Sequence, residues 1–582
     1  MSPYIFLVCT EILTLSINGN CNIKGIPLFN NNIKILQYAD DTTIFLDGDH
    51  DSLSETMHTF KLLEVSSGLK LNKEKSILFP LGPPSRNTRN FYPTFGVTWS
   101  TGPITLLGIT FTNDSADLFK LNFPPKLSRL KSLLGLWSNR DLTPIGKVTI
   151  VKTLGLSQLV YLFQILPNPP QNIMKDLEKI IFNFIWNGKP DKIGRSTMIG
   201  TLSSGGLKVT HIFSFIHSLK CTWVKRYLDE GEGFWKLFFN FYLQSYGQNL
   251  LFQCNYKIED VSIENAFIRD VSHAWSQYSF KIPENFGEEI IWNNTSIKID
   301  NQIIVYNFMW QKGVKCIKDL FDHNNRPLTL RDFKEKYNLD YCPFTTYYGI
   351  ISSIPRLWKD NLDTANPESV DMTFNTIQHV PSVSKHVYSN LIQSISSCPK
   401  AKYKWDIIFN ITTSHWENIF QAPFHSVRDS KVQYLQFRFI HRIIGTNVFL
   451  HKIGKTDNPR CSFCGRHEET ILHLFWECHI VSNFILDTEQ AIFGNQFMIS
   501  KRDMCFGYNF STNHPYNFLI FHLKFFIYSR KMANEKLCCN DFLFKLKFVL
   551  KIEKNIQENK GRNFIHFTQL KDAFSFCSLL FN

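Results

Sequence analysis

Cys461, Cys464, His473 and Cys478 follow one another with two, eight and four residues between them. Three sulfurs and one imidazole form a donor set that tetrahedral structural zinc takes. The CxxC pair puts two thiolates on one tight turn, and the longer gap lets a following helix return His473 and Cys478 to it. His467 or His479 could stand in for His473. A second group with chemical potential is Asp40 beside Asp41. Phosphoryl transfer by two metal ions needs carboxylates that hold divalent cations about 3.5–4 Å apart, so that one ion activates the attacking hydroxyl and the other steadies the leaving group. Adjacent aspartates suit Mg2+ or Mn2+ in that role, although an isolated pair is most often a solvated turn.

The local pattern decides how these side chains are presented. Residues 33–46, IKILQYADDTTIFL, are two β-prone runs joined by a polar turn, which predicts a hairpin with the aspartates at its tip. Leu53, Met57, Phe60 and Leu63 then recur at helical spacing, with Asp51 and Ser52 as caps and Gly68 as the stop, predicting a helix over 52–66. Strand-like segments follow at 76–79 and 104–111 around a loop at 80–102 rich in Pro, Ser and Gly. From Pro125 the texture becomes helical: Leu127, Leu130, Leu134 and Trp137 share a face, Thr143 and Pro144 are a start signal, and Ile173, Leu177, Ile180 and Phe184 repeat the spacing. Residues from about 220 to 440 are rich in aromatics and carry no motif assignable to chemistry. The tail predicts a helix with Phe542, Leu546, Val549, Ile552 and Ile556 on one face and Lys547, Lys551 and Lys554 on another.

At 582 residues the chain exceeds one hydrophobic core, so three to five units are expected. With 44% hydrophobic and 19% charged residues the composition is that of a folded protein, which excludes pervasive disorder. The net charge of +13 fits a polyanion partner or a solvated basic face. Most of the 14 cysteines are scattered singly, as reduced thiols in an intracellular compartment are. The apolar run at 4–17 lacks a basic lead and contains Glu11, which argues against a secretory signal. The run at 518–528 is too short and too interrupted by His522 and Lys524 to span a bilayer; no membrane-spanning helix is expected.

Taken with its flanks, Tyr38-Ala39-Asp40-Asp41 resembles the palm hairpin of reverse transcriptases, most closely those of LINE-type (non-LTR) retrotransposons. Ser2-Pro3-Tyr4-Ile5-Phe6-Leu7 resembles the end of that family's motif rich in Gly, Pro and Ser. GLKLNKEKS at 68–76 places Asn72 and Lys75 at the family's Asn and Lys positions, and Leu106-Leu107-Gly108-Ile109 resembles its primer grip. Residues 139–161 and 184–190 are similar to its thumb and the segment after it, and residues 433–479 to its C-terminal zinc knuckle, where Arg438, His441, Arg442, Lys452 and Lys455 form a basic lead-in that either binds phosphate or is a solvated helix face.

The resemblance implies an α+β, multidomain chain: a partial palm at 1–118, a helical thumb at 119–215, a mixed connecting region at 216–400, and a mostly helical C-terminal region at 401–582 with the zinc knuckle and a basic tail helix. It implies an RNA-directed DNA polymerase fragment acting on an RNA template and a DNA primer in nucleus or cytoplasm, with no membrane partner. Asp40 and Asp41 would be catalytic magnesium ligands, and Lys75, Gly108, Lys547, Lys551 and Lys554 would contact nucleic acid. The family's first metal aspartate lies upstream of the Ser-Pro motif, and Asp47, Asp49 and Asp51 do not fall at its position. The chain as given is therefore expected to be catalytically incomplete. The rival reading is a non-catalytic zinc protein that binds RNA or DNA.

Overall fold

The computed structural model describes residues 2–81, 95–100, 102–114, 116–362, 377–494, 497–560, 567–575, 577 and 580. Most of the expected loop at 80–102 lies outside them. The protein is mostly helical with small two-stranded sheets, compatible with an α+β multidomain chain. It forms two compact units: one of Met1–Arg129, Leu159–Pro169 and Leu219–Val383, the other of Leu130–Gln158, Pro170–Ser218 and Ser384–Asn582.

The first unit opens with a helix, Ser2–Gly19, followed by two antiparallel hairpins, Ile26–Leu28 with Asn31–Ile33 and Ile35–Tyr38 with Asp41–Ile44, and a helix, His50–Ser67. Leu13, Ile17, Ile23 and Ile35 form their small core, against which Ile44, Leu46, Phe60 and Leu63 pack. Buried Lys34 donates to the carbonyls of Asn18 (3.1 Å) and Asn20 (2.7 Å), satisfying the acceptors left over at the end of the first helix. Thr14 Oγ1 donates to Gln37 Oε1 at 2.8 Å and so ties that helix to the aspartate hairpin.

The second helix ends as the glycine predicts: Gly68 has φ 74° and its N–H donates to the Glu64 carbonyl at 2.9 Å. Its start differs, because Asp49 is the N-cap and Asp51 lies in the first turn, where a carboxylate is favoured by the helix dipole without capping. The expected strand at 76–79 is Ile77–Leu78, paired in parallel with Thr98–Trp99. The single strand expected at 104–111 is instead a hairpin, Ile104–Leu106 with Ile109–Phe111. Leu107 and Gly108 both take positive φ, 49° and 79°, which turns the chain in two residues.

The helix expected from Pro125 begins earlier, at Asp117, and runs through Pro124 and Pro125 to Ser138. Burial of Asn122 and Phe123 holds its first turns against the proline penalty. Asn122 donates to the Thr110 carbonyl (2.8 Å) and accepts from the Thr110 N–H (2.9 Å), clamping the edge of the preceding hairpin. The rest of this unit explains the aromatic-rich region that carries no motif. Trp292, Phe333, Tyr347 and Trp358 belong to one core cluster. Buried Trp275, Trp292 and Tyr347 donate to the carbonyls of Phe252, Val314 and Leu328 at 2.8, 2.8 and 2.7 Å. These rings are structural, each with its polar atom satisfied.

In the second unit Thr143 accepts from the Gly146 N–H and Pro144 occupies the first helical turn, as the start signal predicts. Among the described residues the run Pro144–Ile165 is long and apolar enough to cross a membrane by length and composition alone. Its Lys147 is buried and donates to the Phe184 carbonyl (2.9 Å) and to the Asn187 side chain, and Val148, Val151 and Leu156 are buried, which is how a core helix packs. The helix Pro515–Ala533 is buried on nearly every side, with Phe518, Ile520, Leu523 and Ile527 in a large C-terminal core. In the tail helix, Cys539–Lys560, Phe542 and Leu546 of the expected face are buried and Val549 packs against the core, with Leu543, Leu550 and Glu553 buried beside them; Ile552 of that face is exposed. Glu553 is buried with the Arg428 guanidinium 3.3 Å away.

Candidate metal centre

The four ligand residues predicted from spacing come together in the second unit: the donor atoms of Cys461, Cys464, His473 and Cys478 all lie within 4.8 Å of one another. Cys461 Sγ is 3.9 Å from Cys478 Sγ, and Cys464 Sγ is 3.4 Å from His473 Nε2. A zinc tetrahedron with Zn–S of about 2.3 Å and Zn–N of about 2.0 Å has S···S edges of about 3.8 Å and S···N edges of about 3.5 Å. The donor set therefore fits zinc in kind and in spacing. His467 and His479 are exposed and outside the group, although the His467 ring lies 5.5 Å from that of His473.

Two local devices build the site. The first is a knuckle: the Cys461 N–H donates to the His467 carbonyl (2.8 Å) and the Gly465 N–H to the Cys461 carbonyl (2.9 Å), folding the CxxC pair over on itself. The second is a π-helical turn at His473–Glu477. Five residues make about 1.4 turns of an α-helix and would point His473 and Cys478 apart, whereas an i→i+5 turn brings them to one side. The Cys478 N–H donates to the His473 carbonyl at 3.0 Å, which closes that turn. Cys478 is then the N-cap of the helix His479–Phe493, where the helix dipole favours a thiolate.

Backbone N–H groups converge on every sulfur: those of Phe463 and Cys464 on Cys461, of Arg466 and His467 on Cys464, and of Ile480 and Val481 on Cys478. At Cys464 burial opposes ionisation, but the N–H groups of His467 and Arg466 with His473 and Cys461 bring the thiol down to about 6. At Cys461 burial prevails and pushes the thiol up to about 12, and burial likewise raises Cys478. A cation among them reverses that effect, because a coordinating thiol is deprotonated outright. With four protein ligands the set leaves no open position, so the centre is structural rather than catalytic.

Spacing alone did not reveal what holds the knuckle. Glu469 is fully buried and accepts from the Asn447 N–H (2.8 Å), the Ser462 N–H (2.9 Å) and Ser462 Oγ (2.8 Å), so it grips the residue that follows Cys461. Lys531, also buried, lies 2.6 Å from Glu469 and donates to the Gly445 carbonyl at 2.7 Å. The basic lead-in is only partly a surface. His441 is buried, donates from Nε2 to the Gly205 carbonyl (2.9 Å), and is held neutral by burial, which lowers it to about 4. Arg442 lies over the Trp405 ring and Arg438 over Tyr434 and Tyr528. Lys452 and Lys455 are exposed.

The other predicted residues lie in separate places. Asp40 and Asp41 are exposed at the tip of the Ile35–Tyr38/Asp41–Ile44 hairpin, where Tyr38 pairs with Asp41 and Ala39 takes φ 53°. Among the described residues no third ligand joins them into a cluster, the Cys/His group being the one such set of three or more. Lys75 is exposed in a turn held by Asn72, whose Oδ1 and carbonyl both accept from the Lys75 N–H at 3.2 Å. Gly108 sits in the turn already described. In the tail helix Lys551 and Lys554 are exposed and Lys547 is half-buried.

Residues 385–484, which include all four metal ligands, match a family described as zinc-binding in reverse transcriptase. That match and the formed Cys3His group within it relate this chain to the reverse transcriptases of retrotransposons and assign it a zinc-binding segment.

Proposed function

We propose that the chain is part of an RNA-directed DNA polymerase of the LINE-type (non-LTR) class, with its palm segment in residues 1–118 and its thumb in 119–215. The observation that carries this reading is a Cys3His donor group with the spacing of a zinc site, inside a segment similar to the zinc-binding region of reverse transcriptases. The exposed Asp40–Asp41 tip supports it, since a hairpin with adjacent carboxylates is open to Mg2+ or Mn2+ and to a nucleic acid strand. In the reaction the primer 3′-hydroxyl attacks the α-phosphate of a deoxynucleotide and pyrophosphate leaves; these aspartates would hold the ions that stabilise the developing charge. Lys75 and the Gly108 turn would lie along the primer, and the compartment is intracellular.

One observation favours a second reading, a zinc protein that binds RNA or DNA without catalysis: among the described residues Asp40 and Asp41 have no third carboxylate beside them. Loss of one contact made in the transition state costs about 2.7–4 kcal/mol, or about 10²–10³ in rate. Primer extension on an RNA template with Mg2+ or Mn2+ separates the readings. The chain alone is expected not to extend the primer. A version joined to an upstream palm and fingers segment from a related element is expected to extend it, and Asp40→Ala/Asp41→Ala should abolish that. Failure of the joined version while its donor enzyme stays active would leave the non-catalytic reading.

A further inference from the structure

The tail helix Cys539–Lys560 has a second face that the core does not use. Opposite Phe542, Leu546 and Leu550, the rings of Phe544 and Phe548 are 77% and 61% exposed, far more than a packed phenylalanine leaves open. Ile552 continues the row. Beside it, about 60° around the helix, Lys547 and Lys551 form a parallel row. Both rows repeat at four residues, a rise of about 6 Å. The acidic groups on this side are engaged: Asp541 with Arg530 at 2.9 Å and Glu558 with Lys554 at 3.9 Å. Phe544 also walls a cleft of about 490 Å³ with Phe526, Lys545 and Arg530, the last of which pairs with the carboxylates of Glu535 and Asp541 that line it too.

We infer that this face binds single-stranded nucleic acid, with bases stacked on Phe544 and Phe548 and phosphates following Lys547 and Lys551. Two parallel rows of one period, one of rings and one of cations, match a strand in which each nucleotide offers one base and one phosphate. In a stacked duplex successive nucleotides of a strand rise only about 3.4 Å, so the bases must be drawn apart to meet rings about 6 Å apart. The face should therefore prefer single strands. A helical protein partner would call for the three-and-four alternation of a coiled-coil seam, and a lysine row would be misplaced inside it. The inference rests on the nucleic-acid reading proposed above and adds which side chains read the bases.

The test is binding of a fluorescent oligouridine to the full chain across a salt series. Phe544→Leu/Phe548→Leu keeps the face apolar but removes stacking, and Phe544→Trp/Phe548→Trp keeps stacking. Both ring positions are exposed, so thermal unfolding should be unchanged in each. The Leu pair is expected to lose about tenfold or more in affinity with an unchanged salt slope, while the Trp pair binds at least as tightly as the native chain. Lys547→Gln/Lys551→Gln should flatten the slope of log K against log salt by about 1.4. Steep, salt-dependent binding by the native chain that the Leu pair retains would overturn this inference and leave the nucleic-acid reading standing. Absence of binding by the native chain would overturn both.

Discussion

Lys531→Met should loosen zinc without touching a ligand. Lys531 and Glu469 are both buried, with 4% and 0% of their side chains exposed and 2.6 Å between N and O. Removing one member of a buried pair leaves the other charge uncompensated, which costs about 3–5 kcal/mol. Glu469 keeps three other donors, from Asn447 and Ser462, so the lower end, about 3 kcal/mol, is the better figure. Part of this falls on the knuckle, because a Glu469 carboxylate that shifts toward water releases Ser462 and misaims Cys461. Groups of this outer kind change metal affinity by about 10–100-fold, or about 1.4–2.8 kcal/mol, which fits within that cost. The assay is competition of the full chain against a chromophoric zinc chelator, for the native chain, Lys531→Met, Glu469→Gln and the two combined. The double variant should bind zinc more tightly than the sum of the single losses allows, by about 1–2 kcal/mol, since it buries no unpaired charge. A loss of less than about threefold in Lys531→Met, or a strictly additive cycle, would refute the claim that the pair supports the site.

Purified chain should carry one zinc per molecule by metal analysis. His473→Ala or Cys461→Ser/Cys464→Ser should abolish it, and His467→Ala and His479→Ala should leave it unchanged; the reverse pattern would reassign the fourth ligand. His441 is expected to impose an acid limit on stability. Its imidazole is lowered from 6.5 to about 4 by burial, so between these values the unfolded chain binds the proton and the folded chain does not. Stability should fall as pH drops through about 6.5, by about 1.4 kcal/mol per unit, and level off below about 4. His441→Gln removes that contribution, so urea midpoints of native and variant chains should converge as pH falls from 6.5 to 4. Parallel curves would show that His441 titrates normally.

What was legible in the sequence is what short-range chemistry dictates. The four metal ligands span 461–478, and their residue types and intervals carry the site almost completely. The aspartate hairpin followed from two β-prone runs around a polar turn, the Thr143–Pro144 start from a local hydrogen bond, and the stop at Gly68 from a conformation that glycine adopts freely. What stayed hidden depends on partners far along the chain. Glu469 reads as one more acid in a polar stretch until Lys531 meets it, and His441 reads as a basic surface residue until the carbonyl of Gly205 buries it. The tail helix and most of its apolar face were legible, but the burial of Glu553, which depends on Arg428, was not. Leu107 at positive φ hides a turn inside what reads as one strand.

The metal centre also bears on how the C-terminal core holds together. Cys461 and Cys478 are members of that core as well as ligands, together with Phe439, Phe475 and Phe526. Cys478 closes a π turn and opens the helix His479–Phe493 in the same residue, so the direction in which that helix leaves the knuckle is set where the metal binds. Glu469, between the two halves of the ligand set, reaches through Lys531 to the end of the central helix Pro515–Ala533. The connection is made by that buried ion pair and by the shared apolar core, in which Cys461, Leu474 and Phe475 join Leu523 and Phe526 of the helix. Burial favours the protonated form of Cys461 and Cys478, so a cation that deprotonates them supplies the charge toward which six backbone N–H groups already point. Zinc binding and the docking of the central helix on the knuckle are therefore coupled in free energy, each strengthening the other by the same amount.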